Sequence, residues 1–289
     1  MTTLPYPPSP LPCFDFGGSG LPLHFLHANG YPPACYKPLF QLLRKDYHVF
    51  GMLLRPLWDE TRPEEIDDWH SFSEDLRVFL STYPYGSSSS EPVIGVGHSI
   101  GAIVTLRAAL KYPKKFRALV LLDPVLFVPS RLVEWRVQRA KDPESHPWIQ
   151  LAQKRRRTFN DLETVFHRYR GKEVFRYLSD EHLRIYLEGI TRKTEHGYEL
   201  VYSPEWELRI YFTSMQDFDI WNTLQNLRIP VLFLRGAETD TFLEDAAKLV
   251  KQKLPDARVE NVEKSTHILP LERPNETFEI MQTFFKEVL

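Results

Sequence analysis

Ser99 stands between Gly97 and Gly101 in GVGHSIGA, after the apolar run PVIGVGH (92 to 98) and at the head of the amphipathic stretch IGAIVTLRAALK. A Gly-x-Ser-x-Gly sequence passing from strand to helix lifts a serine hydroxyl clear of the sheet on a strained turn. The glycines are required because side chains there would collide with neighbouring backbone. The helix N-terminus beneath offers unpaired N–H groups and a positive dipole end, where an oxyanion forming on a carbonyl would be held, and the Ile100 N–H is one such donor. The plainer reading is a glycine-bounded turn that packs a helix tightly against its sheet.

A lone serine is a poor nucleophile and needs a histidine base with a carboxylate to orient it. His267, in EKSTHILPLERP, follows the last apolar run and precedes the terminal helix, so it sits on a loop at a strand exit. His146, His167, His182 and His196 fall in a different part of the chain, and His98 should point away from its serine neighbour. For the acid, IPVLFLRGAETDTF places Asp240 and Glu238 just after a strand; Asp240 is the first choice. Asp123, at the end of ALVLLD, and Glu238 are alternatives, and each carboxylate left over would serve as a helix cap or turn residue. A second oxyanion donor should come from an early loop, and LHFLHANGYPPACY (23 to 36) offers the Asn29 N–H, with Ala28 next in line. His27 reads as an anchor of that loop.

These residues need a frame. Short runs rich in Val, Ile, Leu and Phe at 21 to 28, 47 to 54, 92 to 98, 116 to 123, 229 to 236 and 257 to 263 read as buried strands. Helix-like segments at roughly 34 to 45, 67 to 82, 99 to 112, 242 to 254 and 274 to 289 alternate with them. Strand alternating with helix predicts an α/β fold with a mostly parallel central sheet flanked by helices. The rhythm breaks at 126 to 226, which is charged, aromatic and without a convincing strand. We read a core of 1 to 125 and 227 to 289 interrupted by a helical insertion. Within it QKRRRTF (153 to 159) could recognise an anionic substrate or be a solvated helix face, and the aromatics, Trp135 and Trp148 among them, should mostly pack the insertion's own core.

The 289 residues, 43% hydrophobic, can bury one large core, and a formal charge of -2 gives no long-range field that favours nucleic acid or acidic membrane. Cys13 and Cys35 lack the spacing of a zinc site or a disulfide framework, no apolar run reaches a membrane span, and the N-terminus lacks a charged and apolar leader pattern. The expectation is a cytoplasmic protein without membrane insertion. Proline-rich residues at the start and YGSSSSEP (85 to 92) read as loops.

With the order Ser99, Asp240, His267 and the segments GHSIGA, HANGYPP, RGAETD and HILPLERP, the chain resembles the α/β-hydrolase superfamily over nearly its whole length. Ala28 stands where that superfamily's His-Gly motif has its second residue. The resemblance implies a serine hydrolase working on an ester or related acyl group of a small, partly apolar molecule. It further implies no metal or organic cofactor, with the insertion as a helical cap over the site. Thioesters, lactones and carbon–carbon bonds beside a carbonyl are open to the same set. A ligand-binding protein, a lyase or a cofactor-free oxygenase on the same scaffold are the alternatives.

Overall fold

The alternation of apolar runs with amphipathic stretches builds a seven-stranded sheet. The computed structural model of the chain describes residues 10–83 and 91–289, so most of the YGSSSSEP loop and of the proline-rich start lie outside the described residues. In chain order the core opens with β1 (Cys13–Gly17), β2 (Leu21–Leu26), α1 (Lys37–Leu43), β3 (Tyr47–Met52), α2 (His70–Thr82), β4 (Val93–His98), α3 (Ile100–Lys111) and β5 (Phe116–Leu122). An insertion follows, made of α4 (Pro129–Lys141), α5 (Pro147–Gln153), β6 (Thr158–Phe159), α6 (Leu162–Arg170), α7 (Asp180–Ile190), β7 (Thr191–Thr194), β8 (Gly197–Leu200), α8 (Pro204–Phe212) and α9 (Phe218–Thr223). The core resumes with β9 (Val231–Gly236), α10 (Glu244–Lys253), β10 (Arg258–Val262), α11 (Leu269–Glu272) and α12 (Pro274–Val288).

The sheet order is β1-β3-β2-β4-β5-β9-β10, with β1 antiparallel to β3 and the other neighbours parallel. Its inner strands β2, β4, β5 and β9 are buried on both faces because helices cover both. In β5, Leu119 and Leu121 enter the core that contains α2 and α3, while Ala118, Val120 and Leu122 enter the one that contains α1 and α12. Six of the strands coincide with the apolar runs. β1 was not foreseen: it is a short edge strand whose Phe14 and Phe16 rings pack on Phe40 at 5.5 and 5.4 Å, and its exposed alternate positions break the apolar run.

The insertion differs from the helical expectation by one feature, a three-stranded antiparallel sheet β6-β8-β7 between its helices. Only Thr191 of β7 is buried, and Arg192 and Lys193 face solvent, so the strand carries no apolar signal. Gly197, at φ 125°, closes the β7–β8 turn. Among the described residues no helix is long and apolar enough to cross a membrane.

Candidate functional site

Parallel strands present their C-terminal ends to one edge of the sheet, and four of those ends bring the candidate residues to it. β4 ends in Ser99, β5 in Asp123, β9 in the Thr239–Thr241 turn, and β10 leads into the loop of His267. Ser99 has φ 59° and ψ -121°, a conformation that a non-glycine residue holds only under strain of roughly 1–3 kcal/mol. Both glycines are sterically compelled as the sequence predicted. A Cβ on Gly97 would stand 2.3 Å from the Gly101 carbonyl oxygen, and one on Gly101 2.2 Å from that of Leu26.

Ser99 Oγ lies 2.9 Å from His267 Nε2, and His267 Nδ1 lies 2.8 Å from Asp123 Oδ2. Asp123 is fully buried. Its Oδ1 accepts from the Gly236 N–H at 2.9 Å, and its Oδ2 accepts from the Thr239 and Thr241 hydroxyls, each at 2.5 Å. Thr241 Oγ1 is also 2.8 Å from His267 Nδ1, so the Nδ1–H is shared between that hydroxyl and the carboxylate. The proton is thereby held on Nδ1, and Nε2 is left as an acceptor for the Ser99 hydroxyl. Desolvation disfavours the His267 imidazolium. The hydrogen bond to Asp123 and its charge, then the charges of Asp240 and Glu272, outweigh that and raise the pKa above the ordinary histidine value.

The first-choice acid is therefore displaced. Asp240 lies on the exposed side of the β9 turn and makes no hydrogen bond among the described residues, reaching His267 only through its charge. Along TDT the side chains alternate, so Thr239 and Thr241 turn inward onto Asp123 and Asp240 turns outward. Glu238 is also exposed, bound by Arg176 at 2.6 Å and by the Tyr177 hydroxyl at 2.5 Å. Asp123 itself sits at φ 40°, in a region that Asp tolerates better than most residues, and Pro124 follows it. The only sequence mark of its role was the end of ALVLLD at a strand exit; the pair of threonines flanking Asp240 was the missed sign that something buried needed hydroxyl donors.

The loop after β2 faces the same edge. Ala28 donates its N–H to Tyr36 Oη at 3.1 Å, which removes it as an oxyanion donor, whereas no acceptor among the described residues takes the Asn29 or Ile100 N–H. Ala28 fits without strain because the left-handed residue of this turn is Gly30, at φ 73°. The Asn29 side chain donates to the Glu207 carbonyl at 3.2 Å and so ties the loop to α8 of the insertion. His27 anchors the loop: Leu54 N–H donates to its Nε2 at 3.1 Å and its Nδ1–H donates to Ala28 O at 2.9 Å. Burial pushes its pKa down to about 4.

His98 points away from Ser99, as its place in the strand predicted. Its Nδ1 accepts from the Tyr36 hydroxyl at 2.7 Å and its Nε2–H donates to the His267 carbonyl at 2.8 Å. Burial, then the nearby His267, keeps it neutral. A buried chain of hydrogen bonds thus runs from the Ala28 N–H through Tyr36 and His98 to the backbone of His267. On the other side of His267, Glu272 accepts from the Thr266 N–H at 2.7 Å and its hydroxyl at 2.9 Å and fixes the loop.

Ser99 is only 5% exposed. The insertion's aromatics do not form a core of their own: Phe159, Tyr169 and Phe175 join the core that contains α1 and α12, and Trp135 joins the one that contains α2 and α3. Phe159, Tyr169 and Phe175 also line a cavity with Trp148, while Tyr177 stays at the surface. Lys154 to Arg157 form a loop after α5 rather than a helix face. No group of three His, Cys, Asp or Glu side chains among the described residues is placed to hold a metal ion.

The comparisons agree with this architecture. The chain is 20% identical over 269 residues, 93% of its length and 92% of the relative's, to an (E)-2-((N-methylformamido)methylene)succinate hydrolase of Acinetobacter baylyi. The solved structure of an E-2-(acetamidomethylene)succinate hydrolase superposes with a TM-score of 0.75 at 21% identity, covering 95% of this chain and 94% of that one. An esterase of M. tuberculosis superposes with a TM-score of 0.71 at 20% identity over 95% of this chain and 88% of its own. The profile of the alpha/beta hydrolase family matches residues 25–280, and with the parallel sheet around Ser99 this establishes that the chain belongs to that family.

Proposed function

We propose that the protein is a serine hydrolase that cleaves a carboxylic ester or related acyl group of a small molecule through an acyl-enzyme on Ser99. The observation that carries this is the continuous line from Ser99 Oγ to His267 Nε2 at 2.9 Å and from His267 Nδ1 to Asp123 Oδ2 at 2.8 Å, ending on a serine held in strained backbone. His267 takes the proton from Ser99 as Oγ bonds to the carbonyl carbon. The Ile100 and Asn29 N–H groups hold the oxyanion, and Asp123 holds the imidazolium that forms. Collapse of the intermediate breaks the bond to the leaving group, which receives the proton from His267 Nε2. Water, deprotonated by the same nitrogen, then attacks the acyl-enzyme and releases the acid with Ser99 restored.

The insertion acts as a cap, and the low exposure of Ser99 beneath it supports a small substrate; the Acinetobacter relative, too, is named for a small molecule. Steady-state hydrolysis of short-chain 4-nitrophenyl esters tests the reading. Ser99→Ala should lower kcat by on the order of 10³-fold or more, because the three residues act as a unit. Equal turnover in a folded Ser99→Ala protein would remove the assignment, and a single burst without sustained turnover would favour a ligand-binding protein on this scaffold.

A further inference from the structure

Beside the Asn29–Tyr31 turn, the insertion encloses a cavity of about 600 Å³ whose charge is one-sided. Lys154, Arg155, Arg156, Arg168 and Lys172 line it against two carboxylates, Glu173 and Glu207, a surplus of three positive charges. Among the described residues only Arg155 of the five cations forms an ion pair, through Nη1 to Glu207 Oε2 at 2.5 Å. Its Nε is buried without a hydrogen-bond partner. Glu173 is shared with Arg176, outside the cavity, at 3.2 Å. Lys172 Nζ lies over the Tyr169 ring, 3.9 Å from its centre, which leaves the ammonium without an anionic partner.

This cavity adjoins the turn that carries the proposed oxyanion donor Asn29. Arg155 Nη1 comes within 3.2 Å of where a Cβ on Gly30 would be, one residue from the proposed donor Asn29. Tyr31 lines the cavity, and its ring centre is 6.2 Å from that of His98, the residue before Ser99. A second groove, of about 560 Å³, is lined by Asp240 and Glu134 with Arg131 as its one Arg or Lys, and Asp240 is one of three carboxylates, after Asp123 and with Glu272, whose charge reaches His267. His267 must protonate the leaving group, and a leaving group lying toward this groove would meet negative charge that disfavours an anionic alcohol or thiol. Trp148 lines both spaces and stands between them.

We infer that the cation-lined cavity is the acyl pocket and that the preferred substrate carries an anionic group, a carboxylate, at the far end of its acyl chain. Arg155 receives it, its fork geometry suited to a carboxylate, and Lys172 and Arg168 add the field that concentrates anions there. The inference rests on the hydrolase reading, with Ser99 attacking the carbonyl between the two spaces.

The test compares monophenyl glutarate with phenyl valerate, which share a leaving group and a chain length, by phenol release from the full chain. The wild-type protein should prefer the glutarate by at least about tenfold in kcat/KM. Added salt should shrink that preference, and Lys172→Gln with Arg168→Gln, both at exposed positions, should cut it about tenfold; Arg155→Gln should cut it further unless loss of the Glu207 partner unfolds it. Calorimetry of glutarate against neutral glutaramide on Ser99→Ala protein reads the cavity without turnover. There, selective binding of glutarate that weakens about tenfold in Lys172→Gln supports the inference even if hydrolysis fails. Absence of selective glutarate binding together with equal rates on the two esters would overturn it while leaving the hydrolase reading intact. An acetyl thioester of coenzyme A, uncharged in its acyl group and anionic in its leaving group, preferred over both, with that preference lost in the Lys172 variant, would move the anion to the leaving group and overturn it as well.

Discussion

Replacing Asp123 by Asn tests which carboxylate orients the base. The Asp123 carboxylate accepts four hydrogen bonds, one from the rigid Gly236 N–H to Oδ1 and three at Oδ2 from Thr239, Thr241 and His267. An amide has one oxygen to offer. The backbone N–H cannot rotate and the hydroxyls can, so the amide oxygen stays on Gly236 and the NH₂ turns to His267 Nδ1. That nitrogen must then accept, which moves the ring proton to Nε2, where it faces the Ser99 hydroxyl and cannot remove its proton. The wrong tautomer costs on the order of 10⁴ in kcat, about 5 kcal/mol of transition-state stabilisation. Asp240→Asn removes only an exposed charge and should change kcat less than about threefold. Both variants are to be assayed on a 4-nitrophenyl ester near pH 8 after circular dichroism confirms folding. A loss of 10³ or more in Asp240→Asn with Asp123→Asn within threefold of wild type would refute the reasoning.

Two pH effects follow from the histidines. His267 works as a base only when neutral, and its pKa is raised, so kcat/KM should rise with pH along a limb centred above 6.5 and Asp240→Asn should shift the limb down without removing it; a limb centred below 6.5 contradicts the assigned environment. His24 and His27 are buried and neutral, their pKa values pushed down to about 3 and about 4, so the unfolded chain binds protons first. Their contribution is present above pH 6.5 and lost as pH falls toward those values, on the order of 2 kcal/mol each by pH 5. Urea midpoints at pH 7.5 and 5 should register the drop, and His24→Gln, which can still accept from the Met52 N–H, should flatten it; identical midpoints would contradict it.

The serine turn was fully legible because it is local: strand, two glycines and helix lie within one stretch, and the steric need at Gly97 and Gly101 follows from that geometry alone. His267 was legible from its loop after the last strand, and the Asn29 turn from its prolines and glycine. The acid was not, because adjacent strands β5 and β9 each lead into an aspartate, Asp123 directly and Asp240 four residues on, and only the direction of the side chains decides between them. That direction is set by the inward turn of Thr239 and Thr241, a long-range contact with no periodicity to announce it. The insertion's small sheet was hidden for a related reason, since its strands bury too few apolar residues to leave a pattern.

The most direct measurement is labelling of the purified protein by a fluorophosphonate, with the modified peptide identified by mass and with Ser99→Ala and His267→Ala alongside. A single adduct on Ser99 that disappears in both variants is the expected result. A folded wild-type protein that takes no label, or that is labelled equally well without His267, would contradict an activated serine at the head of α3.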